Sequence, residues 1–187
     1  GLKKLELHAA ALRNAGNGEV KLAAQEVLLD HAFISSSSAS GAAAAGTALQ
    51  VVASGVVHLG SGQIETDGFD SVVVSAGRAL SLEGKDMKNG ADTISSRLSV
   101  QGGDLTMAVP VVVALNNSNQ TISATGSLSF KNPDAVVSSA AVPAGLAAKL
   151  DLSGRIVSIT GTSFSLPSGS LAISSTGASF TIRVSRC

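Results

Sequence analysis

A pair of short aliphatic strands recurs along this chain, and the recurrence limits its fold more than any other feature. Segments 20–29 and 98–107 align without insertions. In each, two apolar residues separated by one residue are followed by four other residues and then by a second such pair. Val52 with Val57 and Leu59 fits the same frame. Looser copies occupy 72–82, 128–130, 150–159 and 171–182. A unit of this kind buries its apolar face only when a neighbour stacks on it, which is typical of a solenoid.

The spacing of the copies predicts an all-β fold, a right-handed parallel β-helix with about seven irregular coils. The first inward positions are 20, 50, 72, 98, 128, 150 and 171, so successive coils lie 21 to 30 residues apart. Stacked coils are about 4.8 Å apart, which lets Val, Ile and Leu pile into interior ladders. Small residues suit the corners, and the gaps between strands carry Gly55, Gly77, Gly102, Gly103, Gly154 and Gly177.

A β-sandwich is the alternative fold, because immunoglobulin-like domains also consist of short alternating strands. Their strands are not expected to repeat as pairs, and their cores usually contain an aromatic anchor such as Trp. This chain has no Trp and no Tyr. The repeat therefore favours the β-helix.

The chain is predicted to be a single β-helix segment, 1–187, of a longer polypeptide. Loop excursions are predicted near 35–48, where four serines precede an Ala/Gly run, and near 131–143, which contains Pro133 and Pro143. The apolar residues of 2–13 are also compatible with one face of a helix. A strand with Leu5 and Leu7 inward fits the repeat better.

Composition excludes several function classes. Charged residues make up 14% of the chain, against about 25% in an average domain, and 13 basic residues balance 13 acidic ones. Nucleic acid is not an expected partner, since a basic patch and aromatic platforms are both missing from the sequence. No apolar run is long enough to span a membrane, and the single Cys187 cannot form an internal disulfide.

Polar residues cluster in three segments that are predicted to be exposed loops. Asp67-Gly68 and Asn89-Gly90 read as turns, and positions near 67 and 90 are expected on the same side of adjacent coils. We predict no catalytic residue, no metal site and no cofactor, and we expect a non-enzyme. The candidate binding-surface residues are Glu65, Asp67, Asp70, Lys85, Asp86, Lys88, Asp92, Asn116, Asn117 and Asn119.

The three histidines do not align in the repeat frame. His58 falls between inward Val57 and Leu59, and His8 and His31 occupy other positions of their coils. A three-histidine metal site is therefore not expected, and each histidine is predicted to be an isolated surface residue.

Three repeats carry a resemblance to a known family: LSVQGGDLTMAV at 98–109, LDLSGRIVSITG at 150–161 and LPSGSLAISSTG at 166–177. They resemble the passenger repeats of large filamentous haemagglutinin-like exoproteins. The resemblance implies a secreted protein of the bacterial cell surface, exported by an outer-membrane transporter through two-partner secretion. The family's secretion domain carries Asn-Pro-Asn signatures, whereas the nearest string here is Asn132-Pro133-Asp134. The resemblance therefore implies a position in the shaft or later, and not in the secretion domain.

The function that the resemblance implies is structural and adhesive. The segment would extend the exoprotein and present a surface to a glycan or protein of a host or neighbouring cell. Two alternatives remain open. One is a carbohydrate-active β-helix enzyme that uses Glu65, Asp67 and Asp70, because such sites need several carboxylates on one face. The other is a passive stalk of a toxin-bearing exoprotein.

Overall fold

A computed structural model of the chain describes residues 1–31, 44–83, 94–115, 117–133, 148–166, 169–177 and 180–183. Within these ranges the regular structure is entirely β, and nineteen strands form three sheets. Every pairing between the described strands is parallel. The predicted all-β class is confirmed. The antiparallel sheets of a β-sandwich do not fit this pairing.

The strands are distributed evenly over the sheets. Sheet 1 contains β1 (Lys4–His8), β4 (Glu26–Asp30), β6 (Val56–Leu59), β9 (Ala79–Leu82), β12 (Val111–Ala114) and β17 (Ser163–Ser165). Sheet 2 contains β2 (Ala11–Arg13), β7 (Gly62–Asp67), β10 (Ile94–Gln101), β13 (Ser118–Ala124), β15 (Lys149–Gly154) and β18 (Ser170–Ser175). Sheet 3 contains β3 (Glu19–Ala24), β5 (Ala44–Ala53), β8 (Phe69–Ala76), β11 (Asp104–Ala108), β14 (Ser127–Lys131), β16 (Ile156–Thr160) and β19 (Phe180–Arg183).

The described strands visit the sheets in the order sheet 1, sheet 2, sheet 3 and back to sheet 1, except that sheet 2 is left out between β4 and β5 and sheet 1 between β14 and β15. We call each such passage a round. The first round is β1, β2 and β3, and the seventh is β17, β18 and β19. Within each sheet the strands of successive rounds are hydrogen-bonded neighbours. The amino-terminal strands β1 and β2 also confirm that residues 2–13 are not a helix.

Inward-facing residues of successive rounds stack in apolar columns. In sheet 3, Leu49, Val72, Leu105, Leu128 and Val157 are consecutive partners, and each is at most 2% exposed. Equivalent columns line sheets 1 and 2. The predicted aliphatic ladders are therefore confirmed. They stabilise the stack because burial of apolar side-chain area contributes a favourable free energy of about 25 cal/mol per Å².

The register corrects the frame of the predicted repeat. Val51 faces the interior and Val52 does not, since Val51 is 1% exposed and pairs with buried Val74. The frame also superposed strands of different sheets. Segment 20–29 covers β3 and β4, in sheets 3 and 1, whereas 98–107 covers β10 and β11, in sheets 2 and 3.

Rounds of two lengths alternate. Equivalent positions of sheet 3 are 23 residues apart at 49 and 72, at 105 and 128, and at 157 and 180. The intervals between them, from 20 to 49, from 72 to 105 and from 128 to 157, are 29, 33 and 29 residues. Each longer interval includes one of the segments 32–43, 84–93 and 134–147, which lie outside the described residues.

Two pairings join strands that are two rounds apart. Between β4 and β5 the described residues contribute no strand to sheet 2, and β2 pairs directly with β7. Between β14 and β15 they contribute none to sheet 1, and β12 pairs directly with β17. The two predicted excursions fall in these places. However, 44–48 belongs to β5, with a register shift between Ala44 and Ala48, and Lys131 ends β14.

Backbone hydrogen bonds between stacked corners explain one of the glycines in the gaps. The N–H of Gly126 donates to the carbonyl oxygen of Gly103 at 3.0 Å, and the N–H of Arg155 donates to that of Gly126 at 2.8 Å. A Cβ atom on Gly103 would lie 2.3 Å from the carbonyl oxygen of Phe69 in the round before. Glycine is required there because the backbones approach too closely for a side chain.

Candidate binding surface

Five of the predicted binding-surface residues lie within the described structure, and five do not. Glu65, Asp67, Asp70, Asn117 and Asn119 are described. The residues outside the described ranges are Lys85, Asp86, Lys88, Asp92 and Asn116. Asp67 pairs in register with Gln101 of β10, and the positions near 90 that were expected on the same side of an adjacent coil lie outside the described residues.

Glu65 and Asp67 are not loop residues, which corrects the prediction. Both lie in β7, and they are 5% and 8% exposed. Their register partners in β10 are Ser99 and Gln101, and Arg13 of β2 places its Nε 4.0 Å from Oδ2 of Asp67. The predicted turn at Asp67-Gly68 is confirmed, because Gly68 separates β7 from β8 with a φ of 78°.

Asp70 lies beyond this turn, at an exposed position of β8, and belongs to a corner that joins three rounds. The carbonyl oxygen of Gly68 accepts hydrogen bonds from Nδ2 of Asn14 at 3.3 Å and from Oγ1 of Thr47 at 3.1 Å. The Thr47 hydroxyl oxygen accepts the N–H of Asp70 at 3.0 Å, and Oδ2 of Asp70 accepts the N–H of Gly46 at 3.4 Å. These contacts hold the corner between sheets 2 and 3.

Asn117 and Asn119 mark the start of β13. Asn117 has a φ of 60° and occupies the turn before the strand, a conformation that asparagine tolerates better than most residues. Asn119 lies within β13, between Lys149 of β15 and Ser95 of β10. The predicted loop therefore ends before Asn119.

The structure gathers Glu65, Asp67 and Asn119 on one surface, the outward side of sheet 2. Side chains there alternate with the inward columns, as expected for strands with one buried face. We call this surface the outer face of sheet 2. Its residues are Ala11, Arg13, Gln63, Glu65, Asp67, Arg97, Ser99, Gln101, Asn119, Thr121, Ser123, Lys149, Asp151, Ser153, Ser170, Ala172 and Ser174, of which Glu65, Asp67 and Ser99 are buried.

Register orders these groups into columns that run across the rounds. One column is Glu65, Ser99, Ser123, Ser153 and Ser174. Within a strand, Nε2 of Gln101 donates to Oγ of Ser99 at 3.1 Å. Neighbouring strands are about 4.8 Å apart and alternate residues of one strand about 6.7 Å apart, so the columns form a regular grid of donors and acceptors.

The central column of this face contains two charged residues, Arg97 and Asp151. Gln63, Arg97, Thr121 and Asp151 follow one another in register, with exposed Arg97 and partly buried Asp151 on either side of Thr121. A guanidinium and a carboxylate two strands apart are separated by about 9.6 Å at the backbone. The Thr121 side chain occupies the position between them.

The outer faces of sheets 1 and 3 differ from that of sheet 2 in chemistry. Leu28 and Val113 occupy outward, partly buried positions in sheet 1, and Val52 and Val73 do so in sheet 3. Among the described side chains of sheet 2, Ala11 and Ala172 are the apolar residues at equivalent positions. The outer face of sheet 2 is therefore the surface richest in hydrogen-bonding groups.

The sequence prediction missed Arg97, Thr121 and Asp151. Each is a polar residue between two apolar ones, and the alternation of their strands already indicates that they point away from the core. The alternation does not say which sheet each strand joins. Their common column becomes visible only from the register between strands.

Two histidines form carboxylate pairs between rounds, where isolated residues were predicted. Nδ1 of His58 lies 2.7 Å from Oε1 of Glu83, which also accepts a hydrogen bond from the Ser81 hydroxyl at 3.2 Å. His8 pairs with Asp30, its register partner in β4. The hydrogen bond to Asp30 raises the pKa of His8 above its usual value.

The outer face of sheet 2 does not include a metal centre, since the described residues contain no group of three His, Cys, Asp or Glu side chains suited to one. Within the same residues, no helix is long and apolar enough to cross a membrane. Comparisons with protein-family models, curated proteins and solved structures gave no match to this chain.

Proposed function

We propose that the chain is a shaft segment of a secreted, surface-displayed bacterial exoprotein of the filamentous haemagglutinin type, folded as a right-handed parallel β-helix. It extends the exoprotein and presents the outer face of sheet 2 to a glycan or protein of a host or neighbouring cell. The observation that carries the proposal is the rotation of the strands through three parallel sheets with an aliphatic interior. A rotation of this kind lengthens the molecule with each added round.

The handedness follows from a general rule of chain topology. Crossovers between parallel strands of one sheet are right-handed in about 98% of cases, because a twisted strand packs back onto its sheet most readily in that sense. In most rounds each sheet receives its next strand after the chain has crossed the other two sheets. The same rule applied round after round gives a right-handed coil.

The binding role rests on the chemistry of the outer face of sheet 2. Sugars present closely spaced hydroxyl groups, and a grid of amide, hydroxyl, guanidinium and carboxylate groups can exchange hydrogen bonds with them. The site lies on hydrogen-bonded strands of one sheet, so that little backbone conformational entropy is expected to be lost on binding. We expect weak individual contacts that are reinforced when many segments meet one surface.

Export through an outer-membrane transporter is the other partner relationship in the proposal. The support is the resemblance of the repeats together with the local nature of the fold. Strands pair with the neighbouring rounds of their sheet, and a fold of this kind can grow by adding rounds to those already formed. A chain that emerges progressively from a transporter can fold in that way.

Binding of the chain to glycan arrays and to cultured epithelial and bacterial cells tests the adhesive role. The test variant is Arg97→Ala with Thr121→Ala and Asp151→Ala, which removes the central column of the outer face of sheet 2. A matched control is Gln50→Ala with Thr106→Ala and Ser158→Ala, which removes the corresponding polar groups on sheet 3. We expect the first variant to lose binding and the second to keep it.

Equal binding by both variants would contradict the assignment to sheet 2. Failure of the unaltered chain to bind any glycan or cell would contradict the adhesive role. Circular dichroism before and after heating confirms that each triple variant is folded. A crystal structure of the unaltered chain tests the handedness separately, because a left-handed course between the sheets would refute that part of the proposal.

A further inference from the structure

We infer, resting on the proposed function, that the outer face of sheet 2 binds a linear, neutral polysaccharide lengthwise, with one sugar ring facing each round. A five-residue pattern with a central serine recurs on this face in four successive rounds. It begins in β10, β13, β15 and β18. The segments are RLSVQ at 97–101, TISAT at 121–125, DLSGR at 151–155 and AISST at 172–176.

The central serines form one column, because each is the register partner of the next. We call it the serine column, and its members are Ser99, Ser123, Ser153 and Ser174. Neighbouring strands are about 4.8 Å apart, so the column is about 14 Å long from the first serine to the last. It runs across the strands, and therefore along the direction in which the rounds stack.

The serine column is the floor of a groove. On one side stand the residues two positions before each serine, such as exposed Arg97, and on the other those two positions after, such as exposed Arg155. Ser99 is only 6% exposed, and Nε2 of Gln101 donates to its hydroxyl oxygen at 3.1 Å. A short side chain that is buried between longer, more exposed ones marks a depression of the surface. The groove is shallower in β18, where Ala172 takes the first of these positions.

The dimensions of the groove select an extended ligand. The two flanking positions of a strand are about 13 Å apart at the backbone, and their side chains narrow this distance. An α-helix, with a diameter of about 10–12 Å, does not fit between those side chains. In an extended peptide the side chains on one face recur about every 6.7 Å, whereas the serines recur about every 4.8 Å. A β-1,4-linked pyranose chain advances with each ring by close to the separation of neighbouring strands, so that one ring can face each serine.

The chemistry of the groove suits a neutral sugar chain. A serine hydroxyl donates one hydrogen bond, accepts two and rotates to meet its partner. It can therefore bond either orientation of the rings, which alternate along a β-1,4-linked chain. Arg97 and Arg155 border the groove with Asp151, and Glu65 continues the serine column into β7. Because charges of both signs line it, the groove favours a neutral chain over a polyanion.

Calorimetric titration of the 187-residue chain tests the ligand class. The probes are β-1,4-linked oligosaccharides of glucose, mannose and N-acetylglucosamine, from two to six rings long. We expect the affinity for at least one series to rise with each added ring up to four and then to stay level, because four serines form the floor. Glucose oligosaccharides with flexible 1,6 linkages do not keep their rings in step with the rounds, and should bind about tenfold more weakly or not at all.

Paired serine variants test the location of the site. Ser123→Ala with Ser153→Ala removes two neighbouring hydroxyls of the floor and should lower the affinity about tenfold. The matched control is Ser129→Ala with Ser158→Ala, a register-paired couple in the same two rounds of sheet 3, where the Ser158 hydroxyl donates to that of Ser129 at 3.0 Å. The control should bind like the unaltered chain. An equal loss in both variants would overturn the assignment to the groove.

Backbone amide chemical shifts of the unaltered chain provide a second readout, which does not depend on the folding of variants. The tetrasaccharide of the series that binds should move the signals of 97–101, 121–125 and 151–155 together. Those of β14 and β16 in sheet 3 should stay constant. Shifts confined to a single round would overturn the lengthwise orientation.

The remaining outcomes separate this inference from the proposed function. An affinity that does not depend on the number of rings, or equal binding of 1,6-linked chains, would overturn the inference. Protease-sensitive binding to cells by a chain that binds none of the oligosaccharides would identify a protein ligand, which overturns the inference and leaves the adhesive role standing. Failure to bind either oligosaccharides or cells would contradict both.

Discussion

His58 and Glu83 are separated by 25 residues in the sequence, yet Nδ1 of His58 lies 2.7 Å from Oε1 of Glu83. His58 lies in β6, and Glu83 follows β9, the neighbouring strand of sheet 1. One complete round of the chain therefore separates the partners. Side-chain contacts of this kind connect rounds on the outside of the stack, where the apolar columns do not reach.

A double-mutant cycle measures the strength of the His58–Glu83 pair. The side chains are 31% and 29% exposed, so we expect a coupling free energy of about 0.2–1 kcal/mol between His58→Gln and Glu83→Gln. Urea unfolding of the unaltered chain, both single variants and the double variant gives this value. The cycle of His58→Gln with Asp151→Asn on sheet 2 is the control and should show no coupling.

Leu105→Ala tests the interior columns. Leu105 is 0% exposed between Val72 and Leu128, and the cavity left by truncation should lower the free energy of unfolding by about 2–5 kcal/mol. Thr106→Ala, at the next residue of the same strand, faces outward and should change it by less than about 0.5 kcal/mol. Equal effects in chemical unfolding would show that β11 does not have this orientation.

Gly103→Ala tests the close contact between corners. The added Cβ would meet the carbonyl oxygens of Phe69 and Asp70 at 2.3 and 2.7 Å, and relieving such overlap should cost about 1–3 kcal/mol. Gly16→Ala is the matched control, because a Cβ there meets nothing within 4 Å. The measurement is the midpoint of thermal unfolding. A midpoint lowered by Gly16→Ala but not by Gly103→Ala would contradict the stacking of the corners.

Gln120→Leu tests a polar group inside the stack. Gln120 is 0% exposed, its Nε2 donates to the carbonyl oxygen of Glu83 at 3.2 Å, and its Oε1 accepts the hydroxyl of Ser96. Replacing the amide leaves both partners without this bond, so we expect a loss of about 1–3 kcal/mol in urea unfolding. Gln63→Leu, at an outward position of the same sheet, is expected to have little effect.

The His8–Asp30 pair predicts how the first round responds to pH. Because the hydrogen bond to Asp30 raises the pKa of folded His8 above 6.5, its contribution is fully present below the unfolded pKa and is lost as pH rises through the folded pKa. Hydrogen exchange in β1 should therefore accelerate over that window, after correction for the intrinsic rate. His8→Gln should abolish the added pH dependence, and Asp30→Asn should lower the His8 pKa measured by NMR.

Sequence alone was sufficient to predict the fold class and the interior because alternation identifies buried positions locally. Leu105 and Met107, for instance, were assigned inward, and both are fully buried. It could not assign strands to sheets. All three sheets fill their columns with the same Val, Leu and Ile, so copies from different sheets superpose as well as copies from one sheet.

The same ambiguity affected the candidate surface. The acidic cluster at Glu65, Asp67 and Asp70 was interpreted as a loop, because carboxylates beside a glycine usually mark one. Two of its members instead occupy outward positions of β7, paired in register with Ser99 and Gln101. Which polar residues share a face depends on partners more than 20 positions away, and local pattern does not contain that information.

The direct pairings of β2 with β7 and of β12 with β17 have a consequence for the spacing of the rounds. Rounds one and three are about 4.8 Å apart at sheet 2 but about 9.6 Å apart at sheet 3, where β5 intervenes. The planes of these two rounds are therefore closer together at sheet 2 than at sheet 3. Rounds five and seven converge instead at sheet 1. The strands joined in this way, β2 and β17, are each three residues long. The omitted strands leave sheets 1 and 2 with six described strands each, one fewer than sheet 3, and the omissions fall at two different places along the stack.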